Sequence, residues 1–202
     1  MADVVYIPAK VQNAGIDALM EKVNIPGTFA IVTTIQFLDE VNELKKKGYR
    51  ILGQVLGCNI TQAVKEQDFN AYLYIGTGKF HPLNLAFRQE KSVFILDPLT
   101  REFSQVTAEE KQRYEKRRKG MLLKYYAAEK IGIIVSVKSG QNQIRRAVRF
   151  KEKCGKNAYL FLCENVQKLE DFPDIDCWVN TACVRIIEDD LNVPMVNIRD
   201  VE

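Results

Sequence analysis

Residues 29–58 read FAIVTTIQFLDEVNELKKKGYRILGQVLGC, and this stretch decides the fold. Phe29 to Thr34 is a short apolar run ending in two threonines, the mark of a buried strand. From Phe37 to Lys47 the period changes. Phe37, Leu38, Val41 and Leu44 fall on one helical face. Gly48 stops the helix, because glycine takes the left-handed conformation of a helix end without steric cost. Tyr49 to Val55 then predicts a second strand. Strand, helix, strand in so short a stretch is the unit of an α/β fold with parallel strands.

Working outward, the alternation continues in both directions. Upstream, Val4–Pro8 predicts a short strand, and Ala14–Val23 a helix with Leu19, Met20 and Val23 on one face. Downstream come a strand at Ala71–Ile75, a helix near Leu83–Gln89 and a strand at Ser92–Leu96. Thr107-Ala-Glu-Glu110 is a capping box, in which each end can satisfy the other's backbone N–H. It opens a long helix to about Lys130, basic in its first half and apolar from Met121 to Tyr126. The earlier plan then returns: a strand at Ile131–Val137, a basic amphipathic helix at Gln141–Lys153, and strands at Ala158–Leu162, Asp176–Asn180 and Pro194–Ile198. The expected fold is α/β. Two related three-layer domains with mainly parallel sheets, 1–106 and 131–202, are joined by a linker helix at 107–130. The shared plan reads as an internal duplication. A parallel sheet places its functional loops at the carboxyl ends of its strands.

The composition narrows the classes. The chain has 202 residues, 47% hydrophobic and 27% charged, as in ordinary globular proteins. No apolar run approaches the roughly 18 residues of a membrane helix. The N-terminal residues lack a basic stretch followed by an apolar one, so no secretory signal is expected and the chain is expected to be cytoplasmic. A net charge of +3 gives little reason to expect nucleic-acid binding, although basic residues cluster at Lys111–Lys119. That run reads first as a solvated helix face. One histidine, His81, excludes any site needing two histidines from one chain. Five cysteines, at 58, 154, 163, 177 and 183, make an odd set better suited to thiols, ligands or catalytic groups than to a disulfide scaffold.

Two of those cysteines stand out. Cys58 closes the apolar run Ile51–Cys58, and Cys183 follows Val179-Asn-Thr-Ala182. Polar, turn-prone neighbours fit a strand-end thiol better than a buried one, and a rigid half-exposed thiol is placed like a metal ligand. Core packing explains Cys163 and Cys177 better, and simple exposure Cys154. Gly76-Thr-Gly-Lys-Phe-His-Pro82 follows a strand and precedes a helix, where glycines let a ligand approach the backbone. It lacks both the third glycine of a dinucleotide loop and the Gly-Lys-Ser/Thr of a phosphate loop, so a tight turn serves equally. Pro82 biases His81 toward an extended conformation. Thr33-Thr-Ile-Gln36 and Ser139-Gly-Gln141 are matching strand-end loops suited to a polar small molecule, with helix capping as the competing role of the threonines. Asp97-Pro98 ends a strand and can equally start a turn.

Together these segments resemble the diphthamide synthase family, the 2-(3-amino-3-carboxypropyl)histidine synthases. The resemblance rests on Thr33–Gln36, Gly53–Cys58, Tyr74–Pro82, Asp97-Pro98, Ser139–Gln141 and Val179–Arg185, in order, from about Asp3 to Val201. It implies three related α/β domains, each giving one cysteine to a [4Fe-4S] cluster with one iron left open for S-adenosylmethionine. It implies reductive cleavage of that sulfonium to a 3-amino-3-carboxypropyl radical, which adds to a histidine of elongation factor 2. By the resemblance Cys58 matches the ligand of the family's middle domain and Cys183 that of its last. Thr34, Gln36, Gly76, Gly78, His81, Asp97 and Gln141 would shape the S-adenosylmethionine pocket. The family's first domain has no counterpart here, and Val184 stands where the family has proline. The third cluster ligand would then come from a separate first-domain polypeptide, from another copy in a homo-oligomer, or from Cys163. Otherwise no cluster forms, and the chain is a non-catalytic subunit or small-molecule-binding module.

Overall fold

The computed structural model describes residues 5, 7–56, 68–188 and 192–202. They divide into two compact units between Tyr114 and Glu115.

The first unit opens with a short helix, α1 (Ile16–Leu19), followed by a 3-10 turn at Met20–Lys22. Its strands are β1 (Phe29–Thr33), β2 (Arg50–Gln54), β3 (Ala71–Ile75), β4 (Ser92–Asp97) and β5 (Glu102–Gln105). They form one sheet in the order β2-β1-β3-β4-β5. The first four are parallel and β5 returns antiparallel on β4. Alternate residues serve opposite faces, as pleated strands require. Ile31, Leu73, Ile75 and Leu96 pack against α1 and against Val41 of α2 (Leu38–Glu43). Ala30, Val32, Tyr72 and Tyr74 pack against Leu85 and Ala86 of α3 (Phe80–Arg88).

A twenty-residue helix, α4 (Ala108–Ala127), spans the division. The capping box forms: Glu110 N–H donates to Thr107 Oγ1 at 3.1 Å, and Thr107 N–H donates back to Glu110 Oε2 at 3.0 Å. The second unit has strands β6 (Lys130–Ser136), β7 (Asn157–Cys163), β8 (Cys177–Asn180) and β9 (Met195–Asn197), with α5 (Ile144–Lys153) between β6 and β7. All four strands are parallel, in the order β7-β6-β8-β9. One face holds Ile131, Ile133, Val135 and Val179 beneath Tyr125 of α4 and Ala147 and Phe150 of α5. The other holds Ile134, Trp178 and Met195 beneath Leu169, Ile186 and Ile187 of 3-10 turns. Gly132 is dictated by that second face, since a Cβ there would lie 2.5 Å from the Trp178 ring.

Taken by strand rank, the first four strands of each sheet run second, first, third, fourth. That order places a topological switch between the first and third strands of each unit.

Several expectations differ from the structure: the helix at 14–23 is α-helical only over Ile16–Leu19, that at 141–153 begins at Ile144, and that at 107–130 ends at Ala127. Val5, Ile7 and Pro8 form no strand and are exposed, and the rest of the 4–8 run lies outside the described residues. The helix over 37–47 is α-helical only from Leu38 to Glu43, with 3-10 turns on either side. His81 is helical, not extended. Pro82 sits in the first turn of α3, where a missing N–H forfeits no intrahelical bond. Strand β5 was not expected, because Glu102–Gln105 alternates too briefly to stand out.

Candidate functional site

The carboxyl edge of the first sheet is set by register. Thr33 pairs with Ile75, and Ile75 with Leu96. The next residue on each chain is Thr34, Gly76 and Asp97, so these three line the edge in order across adjacent strands. Thr33 fastens the first two strands: its hydroxyl donates to Ile75 O at 2.7 Å. Helix capping does not account for these threonines, since Thr34 precedes a 3-10 turn without a side-chain cap bond. Thr34 is 9% exposed, and Gln36, one turn on, is exposed.

The loop after β3 is built on Tyr74. Its phenol is buried and donates to Thr77 O at 3.3 Å. The His81 ring stacks on it with centroids 5.9 Å apart. Burial first, and the charge of Asp97 second, push the Tyr74 hydroxyl well above its ordinary range, so it stays a proton donor. Gly76 is required here, because a Cβ would sit 2.6 Å from the Tyr74 oxygen. Gly78 takes φ 72°, which favours glycine. Lys79 forms an ion pair with Glu110. Asp97 accepts from Leu99 N–H at 2.9 Å and Thr100 N–H at 3.3 Å, so it shapes its own turn as well as the edge.

In the second unit the matching edge runs from Ser136, partner of Cys163, to Asn180, partner of Asn197. Gln141 is half-buried in the turn after β6, its N–H donating to Lys138 O. Cys183 follows β8 and its thiol is exposed. Its backbone is held on both sides. Asn180, 1% exposed, accepts from Ala182 N–H at 2.9 Å and donates to Cys183 O at 2.8 Å. The same Asn180 amide donates to Asn197 Oδ1 at 2.8 Å, and Asn197 reaches Val184 O at 3.4 Å. Thr181 donates to Ile134 O at 2.7 Å, joining the same pair of strand ranks as Thr33 does but from the third strand's end to the first.

Thus Thr34, Gly76, Gly78, His81 and Asp97 share one sheet edge, Gln36 stands beside it, and Gln141 and Cys183 belong to the other unit. Cys58 lies outside the described residues. Cys163 and Cys177 pack in cores, as expected. Burial raises both thiols, Cys177 to about 11. Cys154 is half-buried rather than simply exposed. Tyr74 and Asn197 were missed by sequence reasoning. Tyr74 was legible as the aromatic just before the glycine loop, but Asn197 looked like an ordinary strand residue.

Cys183 follows the third strand of its unit, and Cys58 lies downstream of the second strand of the other. The donor chemistry of Cys183, an exposed thiol on a fixed backbone, fits a soft metal or an iron–sulfur cluster. Among the described residues no three His, Cys, Asp or Glu side chains gather as a metal site. Among the same residues, no helix is long and apolar enough to cross a membrane.

The family model described as "Putative diphthamide synthesis protein" matches residues 1–202. The chain is 31% identical to 2-(3-amino-3-carboxypropyl)histidine synthase of Pyrococcus horikoshii, over 98% of this chain and 64% of that protein. It is 33% identical to the enzyme of the same name from Methanocaldococcus jannaschii, over 80% of this chain and 46% of that one. It superposes on the crystal structure of Dph2 from Pyrococcus horikoshii with a 4Fe-4S cluster with a TM-score of 0.72 at 32% identity, covering 91% of this chain and 58% of that one. The chain therefore spans less than two thirds of the length of these relatives.

Proposed function

This chain belongs to the diphthamide synthesis family, and we propose that it takes part in transferring a 3-amino-3-carboxypropyl group from S-adenosylmethionine to a histidine of elongation factor 2. Segments 1–106 and 131–202, with the helix between them, would correspond to two of the family's three domains. Cys58 and Cys183 would hold a [4Fe-4S] cluster whose remaining ligand comes from a separate first-domain polypeptide or a second copy of the chain. When bound, the cluster supplies the electron that cleaves the sulfonium. The chain's own residues bind and orient. Thr34, Gln36, Gly76, Gly78, His81, Asp97 and Gln141 would form the S-adenosylmethionine pocket. Gly76 and Gly78 leave room beside the backbone, and the buried Tyr74 keeps their loop in shape. The reaction would take place in the cytoplasm.

The observation that carries this reading is Cys183, an exposed thiol at a strand end with flanking carbonyls held by Asn180 and Asn197. That is the preorganisation a metal ligand needs. The test is anaerobic reconstitution with iron and sulfide, read by absorption and electron spin resonance. Wild type should take up iron and sulfide, and a Cys58→Ser/Cys183→Ser variant should not. Equal uptake by the two ends the iron reading.

A second reading rests on the edge that Thr34, Gly76 and Asp97 line, which is formed within the first unit alone. The chain then serves as a non-catalytic subunit that keeps the pocket. Calorimetry of metal-free protein with S-adenosylmethionine separates the two. Tight binding without iron supports the subunit, and binding only after reconstitution supports the transferase.

A further inference from the structure

Charge is sorted across the sheet of the second unit. From Glu115 to Lys156 the chain carries thirteen lysines and arginines against three carboxylates, and from Asn157 to Glu202 three against ten. The first stretch contributes to α4 and contains all of α5, which cover one sheet face through Tyr125, Ala147 and Phe150. The second supplies the turns over the other face through Leu169, Ile186 and Ile187. Ten of the thirteen cations lie on these two helices, and one of them, Arg117, reaches round to Ile187 O at 3.1 Å. A few are neutralised there: Arg118 pairs with Asp200, and Arg146 with Glu202. Lys156 caps α4 by donating to Tyr126 O and Ala128 O. Lys116, Lys119, Arg145, Lys151 and Lys153 have no carboxylate partner among the described residues, and all five are exposed.

The layer is not purely cationic. On α4, Lys116, Lys119, Leu123 and Tyr126 follow at helical spacing on the side away from buried Tyr125. Leu123 is 71% exposed and Tyr126 65%. Val148 is exposed beside Arg145 and Arg149 on α5. An apolar centre with a one-sign charged surround is the anatomy of a protein interface, with tyrosine and arginine among its usual anchors. A nucleic acid would neutralise the cations but offers no aliphatic pocket for Leu123.

We infer that the outer face of α4 and α5 in this unit docks a protein surface bearing carboxylates around an apolar patch. Charge complementarity supplies steering, and Leu123 and Tyr126 supply the anchor. This inference does not depend on the iron reading, since neither candidate iron ligand, Cys58 or Cys183, is among the residues it uses.

The test uses the full chain and fluorescence anisotropy with three labelled probes. One is a helical peptide with glutamates on its polar face and leucines on the other. The second is the same peptide with glutamine for leucine, and the third is an RNA hairpin. The leucine peptide should bind. Lys116→Glu/Lys119→Glu/Arg145→Glu should weaken it about tenfold or more, and Leu123→Ser/Tyr126→Ser by about tenfold. The emission of Trp178, which lies in the same unit, verifies that each variant is folded. No binding of the leucine peptide overturns the inference, as does equal binding of the glutamine peptide, which would make the face a polyanion site only. RNA binding that is tighter and indifferent to Leu123→Ser/Tyr126→Ser also overturns it. So does self-association in sedimentation that the charge-reversal variant abolishes, since the occupant would then be a second copy.

Discussion

Asn180 does more than its neighbours at the end of β8. Its single amide meets Ala182 N–H, Cys183 O and Asn197 Oδ1 while excluded from water. Removing it strands several polar groups at once, and an unmade buried bond costs more than a made one contributes. Asn180→Ala should lower stability by about 2–3 kcal/mol. Asn180→Ala and Asn197→Ala should be non-additive by about 1 kcal/mol, because they delete one shared network. Urea unfolding of the four proteins of the cycle checks both. Full additivity would mean that the two amides do not act together. The motif containing Asn180 is visible in the sequence as a polar run before Cys183. Its partner Asn197, seventeen residues on, is not, because pairing across β8 and β9 is a matter of register.

At the scale of elements, strand ends and glycines carry the argument. Thr33 and Thr181 each tie the first and third strands of their unit, Thr33 donating from the first to the third and Thr181 from the end of the third to the first. Gly76 and Gly132 each leave room for one aromatic side chain, Tyr74 and Trp178. The Trp178 ring is also gripped by Phe161, with centroids 4.7 Å apart, so it has little freedom to retreat. Gly132→Ala should therefore destabilise the second unit by about 1–3 kcal/mol through overpacking, despite the better strand propensity of alanine. Thermal unfolding followed by Trp178 emission measures it. An unchanged midpoint would show that the ring can move aside. The β1 to β2 unit was legible because its hydrophobic period switches from strand to helix and back. The helix Phe80–Arg88 was placed too late in the sequence because proline was read as a barrier, whereas the first helical turn tolerates it.

At the scale of the whole molecule, each unit has its own core on both faces of its sheet. The chain has a single tryptophan, so its emission reports the second unit alone. Leu73 is fully buried in the first sheet, and Leu73→Ala should cost about 2–5 kcal/mol there. The far-ultraviolet dichroism transition should then split, its early phase belonging to the first unit, while the Trp178 transition keeps its place. A common shift of both signals would mean that the two cores unfold as one.

By itself the sequence determined the α/β class, the repeated order of elements, the capping box and the strand-end positions of the candidate loops. These are local matters, governed by hydrophobic period, turn chemistry and the carboxyl-end rule of parallel sheets. Only tertiary structure decided which strands are neighbours, and hence that Thr34, Gly76 and Asp97 share an edge, that Asn197 locks the turn of Cys183, and that the cation-bearing helices cover one sheet face. Such facts depend on contacts between residues far apart in the chain, and neither period nor spacing records them.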